Sequence, residues 1–484
     1  MTSEHFDVLV VGAGLSGIGA GYHLQTNCPT RSYAILEGRA EIGGTWDLFR
    51  YPGVRSDSDM YTLGYAFHPW KDPKAIADGA SILSYIRDTA AVFGIDRKIR
   101  FQHRVTEASW SSSDARWTVT VEKGPSRERV TFTCNFLFSC AGYYRYEAGY
   151  TPVFPGIERF KHRVVHPQQW TPDIEYAGKR AVVIGSGATA ITLVPELAKT
   201  AAHVTMLQRS PTYIVSHPDE DSFANWARKR FSESVAYTAT RWKNVLLGLF
   251  FFQLSRRRPE YVKRRVLEAI RNELGPEYDV ATHFTPSYNP WDQRVCLVPN
   301  GDLFGAIRKG RASVVTDKIR TFTESGIELA SGAKLDADLV VTATGLTLEV
   351  FGGIAVTVDG RRVDFGKTLA YKGMMFSDVP NFASCFGYTN ASWTLKCDLT
   401  CAYVSRLLNR MEQRGYRQCT PHAGSDTATR TPYLDFTSGY IQRSIAKFPS
   451  QGARAPWRLY QNYALDMLSL RFGRLDDGAM RFAR

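Results

Sequence analysis

No C-x-x-C pair occurs anywhere in this 484-residue chain. Its eight cysteines, at 28, 134, 140, 296, 385, 397, 401 and 419, show no paired zinc-type spacing either. That excludes a thioredoxin-like dithiol and a zinc ribbon, and reads as inert thiols in a reducing, cytoplasmic compartment with no metal. Cys397 and Cys401 stand i, i+4 and can share a helix face, which packing explains equally well. Long apolar runs are missing too, and none reaches the length of a membrane span. Residues Met1 to Asp7 lack a basic n-region, and the apolar run after them ends in glycines, so a strand is expected there and not a signal peptide. Acids are in deficit: 47 Asp and Glu face 60 Lys and Arg, a formal charge of +13. That balance suits an anionic partner, whether nucleic acid, a lipid surface or a phosphorylated cofactor. Nothing matches a helix-turn-helix, zinc-finger or RNA-binding signature, so no nucleic-acid partner is expected. Low-complexity tracts are absent. The length allows two to four domains, and 44% hydrophobic with 22% charged residues is ordinary for a globular protein.

One unit occurs twice. Phe6 to Val11 is a β-branched apolar run of the kind that forms a buried parallel strand, and it leads into Gly12-Ala13-Gly14-Leu15-Ser16-Gly17 and a helical pattern. Gly12 permits a tight turn, Gly14 lets a pyrophosphate sit on the N–H groups of the helix N-terminus, and Gly17 lets helix and strand pack closely. Ser32 to Leu36 reads as the next strand and ends at Glu37, an acid placed to accept hydrogen bonds from a ribose diol and to repel a 2′-phosphate. FAD fits this first site. Arg180 to Ile184 repeats the strand, and Gly185-Ser186-Gly187-Ala188-Thr189-Ala190 repeats the loop. The strand His203 to Leu207 then ends at Gln208-Arg209-Ser210. Exchanging the acid for Arg209 and a hydroxyl is the pattern for a 2′-phosphate, so this second site should hold NADPH. Its candidate contacts are Gly185, Ser186, Gly187, Ala188, Thr189, Arg209 and Ser210.

Between the units lies a stretch with many rare choices: Gly43-Gly44-Thr45-Trp46, then Asp47-Leu48-Phe49-Arg50, then Tyr51-Pro52-Gly53-Val54-Arg55-Ser56-Asp57. A surface loop does not need the Trp, and a core strand does not need the Pro-Gly break. No cysteine follows the double glycine until Cys134, which argues against thiol–disulfide chemistry. The stretch resembles the long fingerprint of Baeyer–Villiger monooxygenases, G-G-x-W-x-x-x-x-Y-P-G-x-x-x-D, at every fixed position. Phe160, His166 and Trp170 resemble the shorter fingerprint of the same family, with His162 where it has glycine and Thr171 where it has Pro or Asp. Within that family the chain looks closest to the mycobacterial ethionamide-activating type, by the stretch 46–53 and by Asn289-Pro290-Trp291-Asp292-Gln293-Arg294.

The resemblance implies an FAD- and NADPH-dependent monooxygenase that forms a C4a-peroxyflavin from O₂ and inserts oxygen beside a ketone carbonyl, giving an ester or lactone. Thioamide or sulfide sulfur is a further implied substrate. The other readings are an N- or S-hydroxylating flavin monooxygenase and a membrane-surface flavoprotein. By the resemblance Arg294 reaches the flavin, Asp57 holds Arg294, and the backbone near Val105 meets the adenine. The candidate FAD contacts are therefore Gly12, Gly14, Ser16, Gly17, Glu37, Gly44, Thr45, Trp46, Asp57 and Val105, and the candidate catalytic pair is Arg294 and Asp57. A salt bridge on a domain edge is the alternative for the pair. Tyr388 and Trp393 read equally as substrate-site lining or as core.

The expected fold class is α/β, with two Rossmann-like dinucleotide-binding domains and a helical insertion. The FAD domain would comprise 1–146 and 345–484, a linker 147–174, the NADP domain 175–216 and 291–344, and the insertion 217–290. Strands are expected over Ile99 to Val105 and Val314 to Ile319, a polar loop over Pro421 to Pro432, and a last helix in the basic tail after Pro456. In the insertion, the apolar run Val245 to Phe252 precedes Arg256-Arg257-Arg258 and Lys263-Arg264-Arg265. Two readings stand: peripheral contact of 245–265 with an anionic membrane, or helices packed over the active site with a solvated basic flank.

Overall fold

The computed structural model describes residues 3–424 and 430–484. Val8 to Val11 and Val182 to Ile184 are almost wholly buried, as apolar runs flanked on both faces must be. Each nucleates its own sheet. Glu4–Val11 pairs in parallel with Tyr33–Leu36 on one side and Glu128–Ser139 on the other. Antiparallel Arg116–Lys123 and His103–Ser111 extend that sheet, and Ala355–Val358 and Phe382–Ser384 join it from far along the chain. Arg180–Ile184 lies between His203–Gln208 and Leu339–Thr342 in an all-parallel five-stranded sheet completed by Arg163–Val165 and Ala312–Thr316.

In both sheets the glycine loop leaves the carboxyl end of a strand with one parallel neighbour on each side, reached by connections that go to opposite sides, which is where open α/β sheets bind ligands. Helices Leu15–Asn27 and Ala188–Leu197 follow the loops. Residues 217–290 form four helices, Ser222–Arg230, Glu233–Arg257, Pro259–Leu274 and Val280–Phe284. Arg241 pins the longest to the first unit. It is buried, and Nη1 donates to the carbonyls of Tyr61 at 2.6 Å and Gly64 at 2.9 Å. No helix among the described residues is long and apolar enough to cross a membrane.

Four local expectations are corrected. The strand expected over Ile99 to Val105 breaks at Gln102, whose φ is +55°, because the chain folds around Glu37 and Arg39. Gln102 N–H donates to the Arg39 carbonyl and His103 N–H to that of Glu37. The run Val314 to Ile319 splits at Asp317-Lys318 into Ala312–Thr316 and Ile319–Phe322, which belong to different sheets. The polar loop is shorter than expected, strands Gln418–Pro421 and Arg430–Pro432 taking its two ends, and its residues 425–429 lie outside the described residues, as do Met1 and Thr2. The tail is not one helix. A short helix Tyr463–Met467 runs into a wide turn, and Met480–Ala483 then pairs with Gln418–Pro421. All eight cysteines are free and buried.

Candidate active site

Gly12 has φ +99°, and a Cβ there would stand 2.7 Å from the Cys140 carbonyl oxygen. A Cβ on Gly17 would stand 1.8 Å from the Gly12 carbonyl oxygen, so strand, turn and helix close on one another only through glycine. The helix after the turn has no side-chain cap at Gly14 and no acid in its first turn. Its free N–H groups and positive dipole end therefore face the cleft. Glu37 is 6% exposed and fixes the turn, accepting the Ala13 N–H at 2.7 Å and the Arg39 N–H at 2.8 Å. Burial pushes its carboxyl above the usual range, against those two hydrogen bonds. Val105 lines the cleft beside it.

Gly44 stacks back to back with Gly14: a Cβ on Gly44 would lie 3.1 Å from the Gly14 α-carbon. The turn Gly43-Gly44 starts a short helix, Thr45–Leu48, whose buried Asp47 is clasped by Arg39 and Arg50. The chain then crosses to the second unit. Tyr51 hydrogen-bonds Thr189, and at Gly53, with φ +75°, a Cβ would stand 2.9 Å from the Glu196 Cβ. Burial pushes the Tyr51 phenol up to about 12. The fingerprint is thus a strap between the two glycine turns, and Asp57 at its end lines the cleft they share.

The second turn repeats the first. Gly185 has φ +134°, and a Cβ there would meet the Ala343 carbonyl oxygen at 2.4 Å. Gly187 caps helix Ala188–Leu197 without a side-chain bond, and the space above it is open. Ser186 Oγ donates to the Ser210 carbonyl at 2.9 Å. Arg209 stands exposed on the cleft wall.

Arg294 joins these parts. Its Nε donates to Asp57 Oδ2 at 2.6 Å and its Nη1 to the Thr389 carbonyl at 3.3 Å. Protein surrounds the guanidinium, while 30% of the side-chain surface stays open to the cleft. Burial opposes the charge most strongly, but the groups around it, Asp57 first among them, together outweigh burial and hold the guanidinium above its ordinary pKa. The loop that carries it is tied down by Asp292. That carboxylate accepts the Asn289 N–H at 3.1 Å and Arg256 Nη1 at 2.9 Å, and the Asp292 carbonyl accepts the Thr437 N–H at 2.9 Å. Trp291, at φ +70°, bends the loop in a conformation that costs a bulky residue about 1–3 kcal/mol.

One cleft of about 880 Å³ holds both glycine turns, Glu37, Thr45, Trp46, Asp57, Val105, Arg209 and Arg294. Among the residues picked from sequence, Ser16, Gly17 and Ser210 deviate in role; Gly17 packs beneath the turn and does not line the cleft. Ser16 lines the cleft, but its hydroxyl accepts Trp393 Nε1 at 2.8 Å and contacts Cys397 Sγ at 3.3 Å. Ser210 offers its carbonyl to Ser186 and leaves the cleft wall to Thr212. Tyr388 and Trp393 both line the cleft. Three phenols went unread: Tyr143, Tyr144 and Tyr440, which surround Arg294 and whose pKa values burial raises. Tyr143 and Tyr144 lie four and five residues beyond the carboxyl end of the strand Glu128–Ser139, in the loop region where parallel sheets place ligand contacts. Tyr440 gave no such signal.

The metal-free expectation rests on sequence alone, and among the described residues no cluster suits a metal ion. The donors do suit two dinucleotides: two uncapped helix N-termini, an acid at one ribose position and an arginine at the other. Residues 62–372 match the family model described as flavin-binding monooxygenase-like, and residues 10–76 match an NAD(P)-binding Rossmann-like domain. The chain is 54% identical, over 100% of its length and 98% of the relative's, to the FAD-containing monooxygenase EthA of Mycobacterium tuberculosis. To the probable FAD-binding monooxygenase AlmA of Acinetobacter baylyi it is 47% identical, over 99% and 96%. Its fold is similar to a steroid monooxygenase bound to NADP, with TM-score 0.77 at 23% identity over 99% of each chain. It is also similar to cyclohexanone monooxygenase in an open form, with TM-score 0.75 at 19% identity over 100% of each. The paired glycine turns, the strap between them and full-length identity to such relatives lead to one conclusion: this chain belongs to the flavin-binding monooxygenase-like family.

Proposed function

We propose that this protein is an FAD-containing, NADPH-dependent monooxygenase of the Baeyer–Villiger type. It inserts an oxygen atom from O₂ beside a ketone carbonyl to give an ester or lactone, and it also oxygenates thioamide or sulfide sulfur. The observation that carries the reading is the Asp57–Arg294 pair, set in the same cleft as two nucleotide turns of opposite 2′ preference. FAD sits on the 12–17 turn with its ribose at Glu37, its adenine near Val105 and its far end toward Gly44, Thr45 and Trp46. NADPH sits on the 185–189 turn, with Arg209 at the 2′-phosphate. When bound, these groups supply a hydride and an oxygen-activating ring.

The protein's own residues do the rest. Arginine keeps its proton under all working conditions, so Arg294 offers a fixed positive charge where negative oxygen develops. Asp57 and the Thr389 carbonyl hold two of its nitrogens and so fix the direction of the third. Tyr143, Tyr144 and Tyr440 stay neutral, so they add no competing anion, and their rings keep water from the cation. The FAD domain comprises 1–146 and 345–484, the NADP domain 175–216 and 291–344, with the insertion 217–290 and the linker 147–174, whose strand Arg163–Val165 joins the second sheet. The protein works in the cytoplasm, and residues 245–265 make a peripheral membrane contact.

The test is product analysis of the FAD-loaded protein given NADPH, O₂ and a panel of ketones and sulfides. Ketone-dependent NADPH oxidation with matching ester is the expected result. NADPH consumption that yields only H₂O₂ with every substrate would reject the reading.

A further inference from the structure

Large apolar side chains are not spread evenly over the surface. Among the described residues fifteen are exposed, and eight of these fall between Phe223 and Tyr261. Trp226, Phe231, Val235, Leu246, Leu247 and Phe250 are each more than half exposed. Val235, Leu246 and Phe250, spaced by eleven and four residues, lie along one stripe of helix Glu233–Arg257. The inner side of the same helix is occupied: Val245 and Leu249 pack with Tyr388, which lines the cleft. At the C-terminal end of the stripe, residues 256–265 carry six basic side chains against one acid, Glu260. Arg256 is engaged by Asp292 and Arg265 by Glu268, whereas Arg257, Arg258 and Arg264 are exposed and make no ion pair among the described residues. Beside them a second cavity of about 720 Å³ is lined by Phe251, Leu254, Val262, Val266 and Ile270, with Arg265 also on its wall.

An apolar stripe ending in unpaired arginines matches a membrane interface, with hydrocarbon for the stripe and anionic headgroups for the cations. Exposed Trp and Tyr at its edge are the side chains favoured at that depth. We infer that the outer face of helix Glu233–Arg257, with Arg257, Arg258 and Arg264, docks on an anionic lipid surface. This deepens the peripheral contact proposed above and rests on it, while standing apart from the redox chemistry. In the docked pose the Tyr388 wall of the cleft is about one helix diameter, ~10 Å, from the lipid.

Co-sedimentation of the FAD-loaded protein with two vesicle types tests this, one of phosphatidylcholine and one of equal parts phosphatidylcholine and phosphatidylglycerol. The unchanged protein is expected to bind the anionic vesicles at low salt and to leave them as salt rises. Arg257→Gln with Arg264→Gln should weaken binding about fivefold per residue. Leu246→Glu with Phe250→Glu should abolish it, with NADPH turnover on a water-soluble ketone unchanged. No vesicle binding at all by the unchanged protein overturns the peripheral contact itself. Binding to neutral vesicles equally well, or undiminished binding by the Leu246/Phe250 variant, overturns only the face and charge named here. Light scattering that shows a dimer dissociated by the same variant assigns the stripe to a second copy and also overturns it.

Discussion

Arg209 and Glu37 occupy matching places at the ends of two related strands, and in the function proposed above one side chain at each sets which dinucleotide can stay. A guanidinium gains charge-assisted hydrogen bonds from a 2′-phosphate, each worth about 1.5–3 kcal/mol. Arg209→Ala is therefore expected to raise the KM for NADPH about ten- to hundredfold and to leave that for NADH nearly unchanged. Steady-state kinetics with both nucleotides checks it, and an equal loss for both would place Arg209 outside the 2′ site. The placing of the two side chains was open to reading because backbone geometry fixes where each strand ends; the preference their types suggest is what these kinetics test. The phenols around Arg294 were not open to reading. Tyr440 arrives from a segment almost 150 positions beyond the arginine, and nothing in its neighbours marks a contact that only tertiary packing makes.

At the scale of elements, the loop 289–294 is held by parts of three separate origins. Arg256 comes from the insertion helix, Asn289 from the loop itself and Thr437 from the segment that brings Tyr440 to the cleft, and Asp292 bonds all three. Removing that anchor should let the Arg294 guanidinium drift, and misplacement on the ångström scale costs up to about a hundredfold in rate. Asp292→Ala is expected to lower kcat for oxygenation about ten- to hundredfold with the KM for NADPH unchanged. Arg256→Met should move kcat in the same direction by less, since the Asn289 and Thr437 bonds remain. Wild-type kcat in both variants would mean the loop needs neither bond. Elements with a strong period were legible before folding: the two strand–turn–helix units and the insertion helices stand where the sequence put them, within a few residues. The misreadings at 99–105 and 314–319 share one cause. Each is a run of strand-forming residues cut by a backbone contact from elsewhere, at Glu37 and Arg39 in the first and, in the second, at Gln208, whose carbonyl takes the Asp317 N–H, and Ala330, whose N–H goes to the Lys318 carbonyl.

Across the whole molecule the linker returns to the sheets through His166. Its Nδ1 accepts the Gln168 N–H at 3.2 Å, and its Nε2 donates to the Gly345 carbonyl at 3.0 Å, a pair of bonds only the neutral ring can make. Burial accordingly lowers its pKa below 6.5, and it lowers those of His5, His68 and His283 too. A histidine held neutral stabilises the fold fully above the unfolded value of about 6.5 and loses that contribution as pH falls below it, because the unfolded chain takes the proton first. Urea midpoints should therefore drop from pH 7.5 to pH 5.5, and His166→Gln should reduce the slope; a flat profile over that window would contradict the buried neutral rings. The account as a whole stands on the cation that Asp57 holds between two nucleotide turns. Its most direct test is the ratio of oxygenated product to NADPH oxidised in Arg294→Ala, with FAD content and NADPH binding measured alongside. The expected result is full cofactor binding with product formation reduced about 10²–10³-fold; ester or sulfoxide formed at the normal rate would contradict it.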